Sequence, residues 1–152
     1  MKKENKKLNS FSCTFPAKSV NEGFSRGIVS SFCSQLDPTV EELCDVKTAV
    51  SEAVTNCIVH AYKYETDERK KKIFIKGEYT ENGCLKISVK DNGCGMENVE
   101  KAMEPMYTEG GEERSGMGFS IMKCFTDKLS VKSKKGAGTT VILKKYIGKA
   151  NK

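Results

Sequence analysis

Apolar residues in the first third of the chain recur with helical spacing after a short alternating stretch. Residues 8–15 alternate in part and end before Pro16, which predicts a first strand. The capping-box pattern Ser19-x-x-Glu22 predicts a helix from Ser19 to Leu36. Its expected core positions share one face: Val20, Phe24, Ile28 and Phe32.

A second helix is predicted to begin at the capping box Thr39-x-x-Glu42, just after Pro38. At about 100° per residue, its apolar positions fill a single arc. They are Leu43, Val46, Val50, Ala53, Val54, Cys57, Ile58 and Ala61. Glu52 and Asn56 lie outside that arc, one turn apart. The helix is therefore expected to hold a carboxylate and a carboxamide in fixed register away from the core. His60 continues this row and is interpreted as a partly buried structural residue.

The remainder of the chain alternates hairpins with helices. Residues 73–79 and 85–90 alternate around Glu81-Asn82-Gly83, and residues 128–133 and 139–145 flank a glycine-containing turn. A short helix at 99–103 and a longer one at 119–127 are predicted between the hairpins. This order predicts the α/β class in the form of an α+β two-layer sandwich, a mixed β-sheet covered by helices on one face.

Charge and composition narrow the function classes. The chain has 152 residues, enough for one domain, and a net charge of +6. The excess cations lie in basic tails at about 1–7 and 146–152, with Lys144 and Lys145 beside the second, and the stretch between is near neutral. A nucleic-acid reader concentrates cations on a folded element, so we expect no direct nucleic-acid binding.

The cysteine pattern predicts reduced thiols, and the short apolar runs predict a chain that does not span a membrane. Seven cysteines occur without a CxxC motif, and no apolar run approaches the about 20 residues that span a bilayer. No apolar segment follows the N-terminal lysines, so a cytoplasmic protein without a membrane partner is expected. With a single histidine, any metal is expected to be a hard cation held through oxygen and bound with a phosphate.

Three polar constellations carry candidate chemistry, and each has an ordinary structural alternative. Glu52 and Asn56 could orient a nucleophile and bind Mg²⁺, or form a solvated helix face. The loop Asp91-x-Gly93-x-Gly95 could accept an exocyclic amine beside a planar base, or be a simple turn. The segment 114–119, with sequence RSGMGF, could bind an anion through backbone amides and Arg114, or be a flexible loop that caps a helix. No P-loop motif is present.

The order of these constellations, followed by Gly138-Thr139-Thr140, resembles the four boxes of the GHKL ATPase/kinase superfamily over residues 40–143. The resemblance implies a Bergerat-type fold that binds ATP with Mg²⁺, with 1–152 as a single kinase domain and an ATP lid at about 106–118. It implies catalytic roles for Glu52 and Arg114, with Mg²⁺ bound by Asn56. The other nucleotide-binding residues would be Asp91, Gly93, Gly95, Ser115, Gly116, Met117, Gly118 and Thr139.

The sequences of 50–56 and 114–122 are similar to the branch of anti-sigma factors found in spore-forming bacteria. Members are homodimeric serine kinases that inhibit a sporulation sigma factor (sigma F) and phosphorylate its anti-anti-sigma partner. The resemblance implies the same activity and partners here, with Arg26 in the partner-binding position. Two alternatives stay open: a nucleotide-gated sigma-factor-binding module with weak or no kinase activity, and the related general-stress anti-sigma kinase.

Overall fold

Five strands form one sheet in the computed structural model, which describes residues 5–103 and 118–148. The strands are β1 (Lys7–Pro16), β2 (Lys72–Thr80), β3 (Cys84–Asp91), β4 (Lys128–Ser133) and β5 (Thr139–Tyr146), in the spatial order β1-β2-β3-β5-β4. The two-layer α+β class is confirmed, but the sheet expected to be mixed is antiparallel in all four pairings. The reason is that strand direction alternates across the spatial order: β1, β3 and β4 run one way, and β2 and β5, which lie between them, run the other.

Four α-helices accompany the sheet in the described residues: α1 (Val20–Cys33), α2 (Val40–Asn56), α3 (Val99–Ala102) and α4 (Gly118–Phe125). Short 3₁₀ turns occupy Ser34–Leu36 and Glu68–Lys70, and a π-helical turn at Cys57–Ala61 follows α2 directly. Helix α2 is central, because it packs against α1, α4, β3 and β5.

Strand alternation directs one face of the sheet towards the helices. The buried strand residues include Ile73 and Ile75 on β2, Leu85, Ile87 and Val89 on β3, and Val141 and Leu143 on β5. They meet the predicted arc of α2, where Val46, Val50, Ala53 and Val54 are buried. The opposite face carries polar residues such as Lys76 and Lys90, which are exposed. The helices therefore cover a single face, as the alternation predicts.

The capping-box prediction holds for α2 and fails for α1. Thr39 accepts from the Glu42 amide at 3.1 Å, and the Glu42 carboxylate accepts from the Thr39 amide at 2.9 Å. Ser19 makes no side-chain cap, because its backbone is already helical. The Glu22 carboxylate instead accepts from the Ser51 hydroxyl of α2 at 2.5 Å. A tertiary contact has replaced the local one.

The predicted apolar face of α1 is also corrected. Phe32 is buried, but Val20 and Phe24 are 80% and 52% exposed. The inward positions are Ser25, Val29, Phe32 and Cys33. At about 100° per residue, each four-residue step turns about 40° beyond a full turn. Over the three steps from Val20 to Phe32 this adds up to about 120°, so the two side chains do not share a face. The Phe24 ring still contacts Phe15 edge-on, with the ring centroids 5.8 Å apart.

All seven cysteines are free thiols, and Cys33 and Cys57 are buried in the core. This fits the expectation of reduced thiols that pack as small apolar groups. Burial raises the pKa of Cys33 to about 11. None of the helices in the described ranges is long and apolar enough to cross a bilayer.

Candidate functional site

The polar row of α2, formed by Glu52 and Asn56, lies against Gly118, the first residue of α4. A Cβ atom placed on Gly118 would lie 3.3 Å from Glu52 Oε2 and 3.4 Å from both side-chain polar atoms of Asn56. Glu52 and Asn56 are half-buried. The structure therefore places Gly118, a residue of the third predicted constellation, against the first, and a side chain at this glycine would press on both polar groups.

A π-helical turn continues directly from Asn56 and holds the loop that begins at Asp91. The Ala61 carbonyl accepts from the Cys94 amide at 2.7 Å, and the His60 carbonyl accepts from the Cys94 thiol at 3.5 Å. Turns of this kind occur often at functional sites, because the extra residue redirects the groups around it. Here it joins the end of the polar row to the second predicted constellation.

Asp91 is buried at the end of β3, with 4% of its surface exposed. Its Oδ1 atom accepts from the Gly93 amide at 2.9 Å and the Thr139 amide at 3.2 Å, and its Oδ2 atom accepts from the Cys57 thiol at 3.5 Å. Burial raises the pKa of Asp91, and these hydrogen bonds oppose part of that rise. The carboxylate is thus fixed by donors from three segments.

Close backbone contacts explain the glycines at 93 and 95. A Cβ atom on Gly93 would lie 2.1 Å from the Ala61 carbonyl oxygen. Gly95 has a φ of +69°, and a Cβ there would lie 2.1 Å from the Lys134 carbonyl oxygen. Any side chain at either position would push the loop away from the segments that hold it.

The turn between β4 and β5 closes the other side of the loop. The Gly136 amide donates to the Cys94 carbonyl at 2.6 Å, and the Met96 amide donates to the Ser133 hydroxyl at 2.8 Å. Ser133 also shares a 2.8 Å hydrogen bond with the Thr139 hydroxyl. Thr139 therefore supports Asp91 through its backbone amide, while its side chain stabilises the turn.

Three residues of this site belong to no motif in the sequence. The sequence predicts Cys57 only as a core residue, and Ser133 and Tyr62 lie outside the candidate constellations. The Tyr62 hydroxyl accepts from the Asn92 amide at 2.9 Å and donates to the Lys72 carbonyl. Only Cys57 had a usable signal, since it follows Asn56 directly in the sequence.

The third predicted constellation lies mainly outside the described residues. Arg114, Ser115, Gly116 and Met117 belong to the interval that the structure does not describe, as does the lid apart from Gly118. Their predicted roles stay predictions.

Arg26 is on the exposed side of α1, with 47% of its side chain accessible. Its guanidinium Nε lies 3.9 Å from Glu22 Oε1, the same oxygen that accepts from Ser51. Ser51 precedes Glu52, so Arg26 is linked through one carboxylate to the helix that carries the polar row.

A metal site built from many protein ligands is not found in residues 5–103 and 118–148. No group of three or more His, Cys, Asp or Glu residues there could hold an ion. Asn56 offers a neutral oxygen next to a residue without a side chain, which leaves room for an ion that keeps most of its other ligands as water or phosphate.

Comparisons with known proteins show which family this chain belongs to. The family profile for the histidine kinase-like ATPase domain matches residues 15–145. The anti-sigma F factor of Clostridium perfringens is 54% identical over 138 residues, covering 90% of this chain and 96% of the relative. That of a Thermoanaerobacter species is 49% identical over 141 residues, covering 92% and 95%. This chain belongs to the anti-sigma F factor family of histidine kinase-like ATPases.

Solved structures agree with this anti-sigma F factor family member at the level of the fold. The RsbU and RsbW domains of Rv1364c from Mycobacterium tuberculosis match with a TM-score of 0.67 at 17% identity, over 92% of this chain and 33% of that one. The Erythrobacter litoralis EL346 blue-light activated histidine kinase matches with a TM-score of 0.59 at 18% identity, over 82% and 41%. The GHKL assignment is thereby confirmed in both sequence and fold.

Proposed function

We propose that this chain is an anti-sigma factor and serine protein kinase. It would bind ATP with Mg²⁺, inhibit a sporulation sigma factor (sigma F), and phosphorylate the anti-anti-sigma partner on serine. The observation that carries the proposal is the fixed arrangement of Asp91, Asn56 and Glu52 in a chain about half identical to anti-sigma F factors.

Asp91 is proposed to recognise the adenine base. A carboxylate accepts hydrogen bonds, and the Oδ2 atom of Asp91 has a second lone pair beyond the one that the Cys57 thiol uses. That lone pair would accept from the adenine N6 amine, whereas a guanine O6 would face it with another acceptor. Gly93 and Gly95 let the loop backbone pack closely against its neighbours, which would leave space for the base. The Thr139 amide holds the carboxylate in place.

Asn56 is proposed to hold the metal at the phosphate end of the site. Its side-chain oxygen would be one ligand, with phosphate oxygens and waters as the others. Bound there, Mg²⁺ would neutralise charge on the phosphates of ATP. Backbone amides of residues 115–118 and the Arg114 guanidinium are proposed to contact the phosphates, a role typical of a helix N-terminus and its flanking loop.

Glu52 is proposed to orient and deprotonate the incoming serine. The serine oxygen would form a bond to the γ-phosphorus while the bond from that phosphorus to the bridging oxygen breaks. The electron pair would leave with ADP, and the hydroxyl proton would pass to the Glu52 carboxylate. Arg114 would stabilise the charge on the transferred group. The one-turn separation of Glu52 from Asn56 supports this division of roles.

Partner binding is proposed to use the exposed side of α1 in a homodimer. Arg26 is the proposed contact, because it is exposed yet linked through Glu22 and Ser51 to the helix that carries Glu52. The sigma factor and the anti-anti-sigma protein would both engage this part of the surface.

The test is transfer of radiolabelled phosphate from γ-labelled ATP to purified anti-anti-sigma protein, combined with a sigma-factor pull-down in ATP and in ADP. The proposal expects labelled serine and nucleotide-dependent capture of sigma F. Capture without labelling would support a nucleotide-gated binding module with weak or no kinase activity. Capture of a general-stress sigma factor alone would support the related general-stress anti-sigma kinase. An Arg26→Glu variant that still captured both partners would remove Arg26 from the interface.

A further inference from the structure

We propose that Cys57 is a specificity-determining positioning residue, whose thiol aims the Asp91 carboxylate at the exocyclic amine of adenine. The inference rests on the proposed nucleotide site. It extends that site to a residue one position after the metal ligand, on the π-helical turn.

The Asp91 carboxylate is held by two kinds of contact. Both amide donors, from Gly93 and Thr139, reach the same oxygen, Oδ1. Those bonds restrain the carboxylate through one oxygen, so a contact to the second oxygen adds resistance to rotation about the Cβ–Cγ bond. The Cys57 thiol is the contact to Oδ2, at 3.5 Å. Since Oδ2 is the oxygen proposed to accept from adenine, the thiol occupies one of its lone pairs and helps to keep the other directed at the base.

The thiol of Cys57 is buried against the Asp91 carboxylate. The side chain is 4% exposed, and its sulfur lies 3.5 Å from Asp91 Oδ2. A thiol is a weak donor and a carboxylate is an acceptor, so the contact is a hydrogen bond from Cys57 to Asp91.

The titratable groups around Asp91 in the described residues come from two elements. Cys57 approaches from the π-helical turn, and Tyr62 follows that turn with its hydroxyl on the Asn92 amide. The remaining contacts are the backbone amides of Gly93 and Thr139, which do not titrate. Removing the thiol hydrogen bond therefore raises the pKa of Asp91, because that bond favours the charged carboxylate.

The experiment measures the affinity of the full chain for ATP and for purine riboside triphosphate, which lacks the N6 amine. Cys57→Ala and the volume-matched Cys57→Val are expected to lower the ratio of the two affinities about three- to tenfold, through loss of ATP binding only. Cys57→Ser keeps a donor and is expected to retain the ratio. Cys94→Ala is the matched control, since its thiol contacts the His60 carbonyl and not Asp91.

The pH dependence provides a second readout. In Cys57→Ala, the acidic loss of ATP binding is expected to begin at higher pH than in the wild type, and Cys57→Ser is expected to follow the wild type. A merely structural thiol would lower thermal stability in the alanine and valine variants and leave both the affinity ratio and the pH midpoint unchanged. That result would overturn the inference. If Asp91→Asn also left the ratio unchanged, the proposed adenine contact itself would be wrong, which is a separate failure.

Discussion

The two ends of the candidate site are built in different ways. At the proposed adenine end, Asp91 is 4% exposed and receives donors from the π-helical turn, its own loop and β5. At the proposed phosphate end, Glu52 and Asn56 project from a single helix, half-buried, towards Gly118. The first end depends on contacts between distant parts of the chain, and the second depends on one turn of helix.

This difference assigns different consequences to substitutions. A change at the adenine end disturbs a preorganised network, so it should alter nucleotide affinity and the stability of the fold together. A change at the phosphate end removes a side chain that is not part of the core, so it should alter chemistry or metal binding and leave the fold intact.

Glu52→Gln is expected to slow single-turnover phosphorylation of the anti-anti-sigma protein by at least about a hundredfold, while ATP binding stays unchanged. The amide keeps the shape of the side chain and removes the basic oxygen. Glu41→Gln, the same change at an exposed position in the first turn of α2, is the control and should have no effect. An unchanged rate in Glu52→Gln would return Glu52 to the role of an ordinary helix-surface residue.

Asn56→Ala is expected to weaken nucleotide binding in the presence of Mg²⁺ by at least about tenfold, with little change when Mg²⁺ is chelated. The side chain lies outside the apolar arc, so thermal unfolding of the nucleotide-free protein should match that of the control Thr48→Ala, a change at an exposed position of the same helix. Calorimetric titration with ATP, in Mg²⁺ and in a chelator, measures nucleotide binding with and without the metal. A large drop in thermal stability without any loss of the Mg²⁺ effect would show a structural role instead.

Two glycines in the turn between β4 and β5 form a matched pair. Gly136 and Gly138 have φ of +82° and +81°, but a Cβ on Gly138 would lie 2.2 Å from the Asp91 carbonyl oxygen, while one on Gly136 meets nothing within 4 Å. Gly136→Ala is expected to cost about 1 kcal/mol of unfolding free energy from backbone strain alone. Gly138→Ala should cost about 1–3 kcal/mol more and weaken ATP binding. Equal losses in denaturant titrations would show that the Asp91 contact is not rigid.

The pH dependence of stability should show the smallest effect. Because the pKa of Asp91 is raised above 3.8, the folded state binds its proton more tightly than the unfolded state. Stability from this group is thus present at low pH and falls as the pH rises from 3.8 through the raised value. The melting temperature of the wild type, measured relative to Asp91→Asn, should decline over that window. ATP affinity should change in the opposite sense and weaken on acidification. If the melting temperatures of the two proteins changed with pH in the same way, the burial of the Asp91 carboxylate would be contradicted.

The same contrast explains how far the sequence could predict the molecule. Glu52 and Asn56 were identified together because helical periodicity is local, and the α2 capping box followed from four adjacent residues. Gly93 lies in the same motif as Asp91, and Thr139 was expected beside it through the family resemblance. Cys57 was not expected as a partner, because its helical turn meets Asp91 only when distant segments of the chain pack. The capping box of α1 was predicted wrongly for a related reason: Glu22 bonds to Ser51 on another helix, and no local pattern contains that contact.

The most direct test of the account is single-turnover phosphorylation of the anti-anti-sigma protein by Asp91→Asn and Glu52→Gln across a range of ATP concentrations. We expect Asp91→Asn to need at least about tenfold more ATP to reach half its maximal rate, yet to approach the wild-type rate at saturation. Glu52→Gln should saturate at the wild-type ATP concentration and remain at least about a hundredfold slower. Loss of maximal rate in Asp91→Asn, together with a wild-type rate in Glu52→Gln, would contradict the assignment of affinity to one end and chemistry to the other.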